Sequence, residues 1–200
     1  MGADSLAGLL QSIRSCTACA QHLPLGPRPI VQAAASAAIL IIGQAPGTAV
    51  HASGIPWDDP SGDRLREWTG LDRTTFYDPA KVALMPMGFC YPGRIPGGGD
   101  APPRPECAPL WHAPLRAELG AVRLTLLVGL YAQVTYAPGP KSTLTERVRA
   151  GGAGDRIALP HPSWRSTGWM RRNPWFEADV LPRLRGRIGE AMRSPAEPGS

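Results

Sequence analysis

Four short apolar runs divide the chain into segments of strand length and helix length. The runs lie at residues 38–42, 81–85, 123–128 and 156–159. Their length and their content of Ile, Leu and Val predict four buried strands. Because segments of helical length separate them, we expect a parallel sheet with helices on both faces, which is an α/β fold.

The predicted helices show apolar residues at intervals of three and four positions, or capping residues at their starts. They lie at residues 4–14, 59–70, 106–119, 142–150 and 174–192, with a further short helix after Gly129. Asp4 or Ser5 can cap the first helix, and Ser142 or Thr143 can cap the helix at 142–150. Pro182 should kink the last helix, because proline lacks the backbone N–H.

Length and composition favour one domain. The 200 residues, 43% of them hydrophobic, suit a single domain over residues 1–193 followed by a disordered tail at 194–200. No apolar run in the sequence reaches membrane-spanning length. Residues 1–11 lack the basic start and long apolar core of a secretory signal, so we expect a cytoplasmic protein.

The net charge of +5 is unevenly distributed. Residues 141–200 hold 11 Lys and Arg against 6 Asp and Glu, whereas residues 1–140 hold 10 of each. A basic face is typical of nucleic-acid binding. A solvated, arginine-rich surface explains the same numbers, so charge alone leaves both interpretations open.

The turn after the first strand has the composition of a ligand site. Residues 43–47 read Gly-Gln-Ala-Pro-Gly, and the loop that follows carries Trp57, Asp58, Asp59 and Asp63. Ligands of open α/β sheets bind where the chain leaves the carboxyl end of a strand. Glycines in such a turn let backbone amides approach a ligand closely. We therefore predict the floor of an active site here.

A second candidate segment follows the fourth strand. His161 lies between two prolines, which hold its backbone extended. We expect it at the same sheet edge as the first turn. Ser163 has the chemistry to bind a phosphate oxygen. Trp and Arg interleave over residues 164–175, a pattern that suits DNA, although Trp169 and Trp175 are also typical of core residues that anchor a helix.

The four cysteines form a C-x2-C pair and a C-x16-C pair, at Cys16, Cys19, Cys90 and Cys107. Disulfides are uncommon in cytosolic proteins. A C-x2-C pair places two thiolates on one turn, and four thiolates suit a [4Fe–4S] cluster or a structural zinc ion. The alternative is one such pair with two ordinary buried thiols. The spacing alone leaves the choice between iron–sulfur and zinc open.

Together these segments resemble the uracil-DNA glycosylase superfamily, over residues 16–184. The turn at 43–47 is similar to the first superfamily motif, G-[EQ]-x-P-[GYA], and residues 161–163 are similar to the second, H-P-S. Residues 54–57 with Ser61 and Gly62 are similar to the G-x-P-F…G segment, whose aromatic residue stacks on the base. The cysteine spacing resembles that of the iron–sulfur members, known as families four and five.

The resemblance implies a three-layer sandwich with a four-stranded parallel sheet between helices. It implies that the protein flips a nucleotide out of DNA and hydrolyses its N-glycosidic bond. It also implies a structural [4Fe–4S] cluster on the four cysteines, in preference to zinc. The expected partner is DNA, with no membrane, and the expected state is a monomer.

On the base side, the resemblance assigns each role to one residue. His161 would hydrogen-bond the pyrimidine O2 and stabilise the leaving base as its negative charge grows. Trp57 would stack on the base. The amides around Gln44 and Ala45 would contact its edge, with Asp58 close by.

On the DNA side, the resemblance assigns the contacts with the backbone and with the gap in the strand. Gly47 and Ser163 would hold phosphates. Trp164 and Arg165 would fill or brace the space left by the flipped nucleotide.

The chain departs from the superfamily pattern where a carboxylate usually positions the attacking water. Many members carry this carboxylate in the first motif, but Gln44 and Ala45 stand at the candidate positions. Some iron–sulfur members that lack it use an Asp shortly after the stacking aromatic. We therefore predict Asp59 as the water-activating residue, whereas Asp58 could equally be a surface charge.

A second departure concerns base selection. The uracil-reading Asn of many members would fall near Pro86, where this chain has none. Met85 and Met87 beside the pocket would tolerate hypoxanthine, xanthine or 5-substituted uracils.

The sequence thus predicts a DNA glycosylase for uracil or a related deaminated base. The missing first-motif carboxylate motivates an alternative, a non-catalytic or very slow binder of damaged or abasic DNA. A third hypothesis is an iron–sulfur redox or sensor protein.

Overall fold

The computed structural model of the protein describes residues 3–137, 142–151 and 154–193. Within these residues, four parallel strands form one sheet in the order β2-β1-β3-β4. They are β1 (Ile39–Ile42), β2 (Val82–Leu84), β3 (Leu124–Val128) and β4 (Arg156–Leu159). Ile41 of β1 pairs with Leu84 of β2 and with Leu126 of β3. The predicted strands and their parallel arrangement are confirmed.

Helices surround the sheet, and most lie where the sequence predicts them. They are α1 (Ala3–Arg14), α2 (Thr48–Ser53), α3 (Pro60–Thr69), α4 (Arg73–Phe76), α5 (Ala113–Ala117), α6 (Leu130–Tyr136), α7 (Leu144–Ala150), α8 (Ser166–Arg172) and α9 (Leu181–Met192), with a 3-10 turn at Ala20–His22 and π-helical segments at Ala108–His112 and Phe176–Val180. A capping box on Thr143 starts α7, as the sequence predicts. Asp59, at the predicted start of α3, is the cap of that helix. Gly70 ends α3 in a left-handed conformation.

Some predicted helix details are wrong. Helix α1 already includes Ala3, so neither Asp4 nor Ser5 is its cap. By contrast, the helix predicted at 106–119 is present and is broken up at Pro109 and Pro114, as the sequence predicts, into a π-helical segment and α5. Pro182 lies in the first turn of α9, directly after the π-helical segment Phe176–Val180, and the kink predicted there stays a prediction. The short helices α2, α4 and α8 were not predicted.

The sheet separates two hydrophobic cores. Leu40 and Ile42 of β1 pack in the core that includes α1 and α5, whereas Ile39 and Ile41 pack in the core that includes α3 and α9. Consecutive strand residues point to opposite faces, so β1, β2 and β3 supply both cores, whereas Ile157 and Leu159 of β4 pack in the second. The fold is the predicted three-layer α/β sandwich.

Two other sequence predictions concern the ends of the chain and membranes. The predicted disordered tail at 194–200 lies outside the described residues. In the described ranges, no helix has the length and the apolar character that crossing a membrane requires.

Candidate active site

A cleft with a volume of about 80 Å³ opens at the carboxyl edge of the sheet. Six residues of the predicted site line it, namely Gln44, Ala45, Gly47, Trp57, Asp59 and His161. Strands β1 and β4 both end at this edge, with β3 between them. The fold therefore brings together segments that lie far apart in the sequence.

The turn after β1 is tied to the segment after β2. The carbonyls of Gly43 and Gln44 accept hydrogen bonds from the amides of Met87 and Gly88, at 2.9 and 3.0 Å. Pro86 lies next to these donors and lines the cleft. These hydrogen bonds hold the backbone of residues 43–44 in a fixed position relative to residues 87–88, and this backbone forms part of the wall of the cleft.

His161 lies in the cleft in its neutral form. Burial lowers its pKa to about 4, so the imidazole carries no charge near pH 7. The Ser166 hydroxyl donates to the His161 carbonyl and holds the backbone after β4. A neutral imidazole has one N–H donor, which suits a carbonyl oxygen that gains negative charge.

Trp57 faces His161 across the cleft. The centres of the two rings are 5.8 Å apart, with 32° between their planes. The Trp57 ring also lies directly over Gly43, where a Cβ would come within 2.6 Å of Cζ2. Only glycine at position 43 leaves room for the ring, so the first turn and the aromatic residue depend on each other.

Asp59 has one carboxylate oxygen in a helix cap and the other towards the cleft. Oδ1 accepts a hydrogen bond from the Gly62 amide at 2.8 Å. Oδ2 would be 4.0 Å from a Cβ placed on Gly47. Burial raises the pKa of the Asp59 carboxyl, and the amides of Gly62 and Ser61 oppose that rise. A carboxylate with a raised pKa is suited to accept a proton.

The family comparison agrees with this geometry. The family model described as the uracil DNA glycosylase superfamily matches residues 31–185, which include the sheet and all six predicted residues in the cleft. The chain belongs to the uracil-DNA glycosylase superfamily. Membership supports a DNA glycosylase at the general level, a hydrolase of DNA repair whose substrate is DNA.

Asp58 lies apart from the other glycosylase residues. Its carboxylate pairs with the Arg73 guanidinium at 3.0 Å, and it is not among the residues that line the cleft. Asp63 pairs with Arg66 within α3. Of the three carboxylates in this loop, the fold directs Asp59 into the cleft.

The predicted DNA-contacting residues after β4 form an exposed edge of the glycosylase. Trp164 is 73% exposed, and the Arg165 guanidinium lies 4.9 Å from the centre of its ring. The Ser163 carbonyl accepts a hydrogen bond from Arg64 at 2.8 Å. An exposed aromatic ring beside arginines is suited to a nucleic acid.

Among the residues with ionisable side chains that line the cleft, the sequence analysis missed Asp100. Asp100 comes from the loop of residues 91–105, whose Pro- and Gly-rich composition and length were the signal for a functional loop.

The expectation for Met85 and Met87 is wrong, because both side chains are buried in the core with α1 and not beside the cleft.

The four cysteines are neighbours in the fold. Cys19, Cys90 and Cys107 pack in the same core, and Cys16 lies close enough to Cys19 and Cys90 to raise the pKa of those thiols slightly, after the larger effect of burial. Burial raises the pKa of Cys90 to about 11 and that of Cys107 to about 12. Within the described ranges, no three His, Cys, Asp or Glu side chains form a group that could hold a metal ion.

Proposed function

We propose that this superfamily member flips uracil or a related deaminated base out of DNA and hydrolyses its N-glycosidic bond. The observation that carries the proposal is the meeting of Trp57, Asp59 and His161 in one cleft, although they come from two distant chain segments. Such a cleft can hold a flipped base between an aromatic ring and a neutral hydrogen-bond donor.

The reaction separates charge, and the cleft has a group for each sign. When the bond between C1′ and the base nitrogen breaks, its electron pair leaves with the base. The neutral His161 N–H stabilises the resulting negative charge. Positive charge grows on the deoxyribose, water forms the new bond to C1′, and Asp59 accepts the proton of that water.

The lining near the base favours a broad choice of deaminated bases. Pro86 offers no side-chain donor or acceptor where the superfamily resemblance places an amide side chain. Hydrogen bonding to the base edge then comes from backbone groups around Gln44 and Ala45. We propose uracil as one substrate, with hypoxanthine and xanthine as candidates.

The second candidate function is a binder of damaged or abasic DNA without base release. It is favoured by the hydrogen bond between Asp59 Oδ1 and the Gly62 amide, because this bond commits one oxygen of the predicted base to the fold. The second oxygen faces the cleft, and for that reason we favour the glycosylase.

The experiment that tests the function is base release from oligonucleotides that contain uracil, hypoxanthine or xanthine, with alkali cleavage of the abasic product. We expect Asp59→Asn to slow release by about 10² to 10⁴-fold, because it removes a proton acceptor. We expect His161→Ala to slow it by about 10² to 10³-fold, because it removes stabilisation of the leaving base.

Two matched variants serve as controls. Asp155→Asn changes an exposed carboxylate just before β4, and His22→Gln changes an exposed histidine. Both should release base at the wild-type rate. Wild-type protein that binds uracil-containing DNA but releases no base from any substrate would establish the second candidate instead.

We also propose that the chain is an iron–sulfur member whose four cysteines hold a structural [4Fe–4S] cluster. Backbone amides already point at two sulfurs, from Arg28 to Cys90 and from Phe89 to Cys107. Amide donors of this kind tune iron–sulfur clusters. Buried thiolates need positive charge nearby, which a cluster supplies when bound.

For the DNA contacts we propose Gly47, Ser163, Trp164 and Arg165. Gly47 lies at the start of α2 and the other three lie between β4 and α8. We propose that the protein acts on DNA as a monomer in the cytoplasm.

A further inference from the structure

A second carboxylate, Asp100, also lines the cleft. A Cβ placed on Gly47 would lie 3.5 Å from Asp100 Oδ2 and 4.0 Å from Asp59 Oδ2. The two carboxylates therefore approach the same backbone position from the loop of residues 91–105 and from the start of α3. His161 and Trp57 line the same cleft.

Within the described residues, Asp100 forms no salt bridge. Arg94 and Arg165 are the cations that act on it, yet within the described part of the chain neither closes a salt bridge with it at 4.0 Å or less. Burial raises the pKa of the Asp100 carboxyl, and the two arginines oppose the rise. Asp100 as a whole is exposed, but its carboxylate lies beside the first turn and is partly shielded from water.

The loop itself is built to reach the cleft. Arg94 and Asp100 form an isolated antiparallel bridge, which closes the segment between them into a hairpin-like turn. Ala101 donates a backbone hydrogen bond to Gly93 at 2.8 Å. These bonds fix Asp100 at the mouth of the cleft next to the first turn.

We infer that Asp100 is a second catalytic carboxylate of the glycosylase, which stabilises the positive charge on the deoxyribose and orients the attacking water together with Asp59. This inference rests on the proposed function. The C1′–nitrogen bond breaks with its electron pair going to the base, water oxygen bonds to C1′, and the water proton goes to Asp59. Asp100 stays ionised throughout.

Asp59 and Asp100 have different proposed roles because their surroundings differ. Asp59 is the more enclosed and lies beside α3, whereas Asp100 is exposed at the mouth and faces Arg94 and Arg165. Two carboxylates with different environments can act as proton acceptor and as fixed negative charge. A nucleotide that enters the cleft passes its sugar between them.

The test is single-turnover release of uracil at saturating enzyme, with DNA affinity measured separately by fluorescence anisotropy. We expect Asp100→Asn to slow release by about 10²-fold, because one preorganised charge is lost. The dissociation constant for DNA should change by less than about threefold, and Asp100→Glu should restore part of the rate. Asp155→Asn is the control and should match the wild type.

The double variant separates a shared role from independent ones. If Asp59 and Asp100 act on the same water, the combined loss in Asp59→Asn with Asp100→Asn is smaller than the product of the single losses. An Asp100→Asn protein that releases uracil at the wild-type rate would overturn the inference. An Asp100→Asn protein with an unchanged rate but weaker DNA binding would also overturn the inference, because Asp100 would then act only by holding Arg165 in place. A wild-type protein that releases no base would reject the proposed function itself.

Discussion

Trp57 holds a backbone conformation that large side chains rarely adopt. Its φ is +60°, in the left-handed region. Its carbonyl accepts hydrogen bonds from the Tyr77 hydroxyl at 3.1 Å and from Arg66 at 3.4 Å. Arg66 is only 8% exposed and lies over the rings of Phe76 and Tyr77. These neighbours stabilise a strained residue whose ring forms one wall of the cleft, as expected where strain serves a site.

At the scale of single residues, we predict that Gly43→Ala moves the Trp57 ring and slows base release by about 10 to 10²-fold. The new Cβ would meet Cζ2 at 2.6 Å, so the ring must leave its place beside His161. Single-turnover release checks this, together with thermal unfolding. Gly120→Ala is the matched control, because a Cβ there meets nothing within 4 Å. Full activity in Gly43→Ala would show that the position of the ring is not needed.

At the scale of elements, the π-helical segment Ala108–His112 places a buried histidine behind the cleft. His112 Nε2 lies 3.1 Å from the Pro86 carbonyl, and Nδ1 is hydrogen-bonded to the Tyr136 hydroxyl. A carbonyl only accepts, so Nε2 carries the hydrogen and Nδ1 accepts from Tyr136. His112 thus joins three elements, and it holds the backbone carbonyl of a residue that lines the cleft.

This arrangement predicts a loss of stability in acid. Burial is the main cause that lowers the pKa of His112, to about 4, and the same holds for His161. In the unfolded chain both histidines bind a proton near pH 6.5, whereas in the folded chain they bind one only near pH 4. The free energy of unfolding is therefore highest above pH 6.5 and falls as the pH drops towards 4. Each histidine should cost up to about 2 kcal/mol between pH 8 and pH 5.

Urea unfolding at pH 8 and pH 5 measures this effect. His112→Phe should lose about half of the pH dependence, because one of the two buried groups is gone. His22→Gln, at an exposed position, should keep all of it. An unchanged pH dependence in His112→Phe would contradict the assigned role. Comparison of variants at each pH cancels contributions from the rest of the molecule.

At the scale of the whole molecule, the basic excess after residue 140 is partly structural. Four of these arginines donate to backbone carbonyls of other segments, namely Arg147, Arg156, Arg185 and Arg187. They fasten β4, α7 and α9 to their neighbours. These guanidinium groups keep their positive charge, but part of their hydrogen-bonding capacity is used within the fold and is not available to phosphates.

The four cysteines join the start of the chain, the end of β2 and the π-helical segment, so a cluster would tie distant parts together. We predict about four irons and four sulfides per chain in protein purified without oxygen, by metal and sulfide analysis. Cys107→Ser should lower the iron content and the melting temperature, because a ligand is lost. Ser15→Ala is the control, since its hydroxyl bonds only the Ser12 carbonyl. One zinc per chain, or no metal, would contradict the prediction.

The sequence by itself determined the strands, their parallel arrangement and most of the site. Buried strands of a parallel sheet are continuous apolar runs, so their positions are readable along the chain. The turn at residues 43–47 and His161 each lie just after a strand, and this local fact places both at the carboxyl edge of the sheet. Thr143 was predicted as a helix cap because capping depends on residues three positions apart.

Only the tertiary structure decided which side chains meet in the cleft. Asp100 reaches it through a long loop whose path depends on hydrogen bonds such as that from Ala101 to Gly93, and no periodicity encodes such a path. Met85 and Met87 turned into the core because strand alternation continues past the end of β2. The short helices α2, α4 and α8 form because packing stabilises them, since isolated helices of four to seven residues are not stable alone. Local patterns thus set the elements, and long-range contacts set the chemistry of the site.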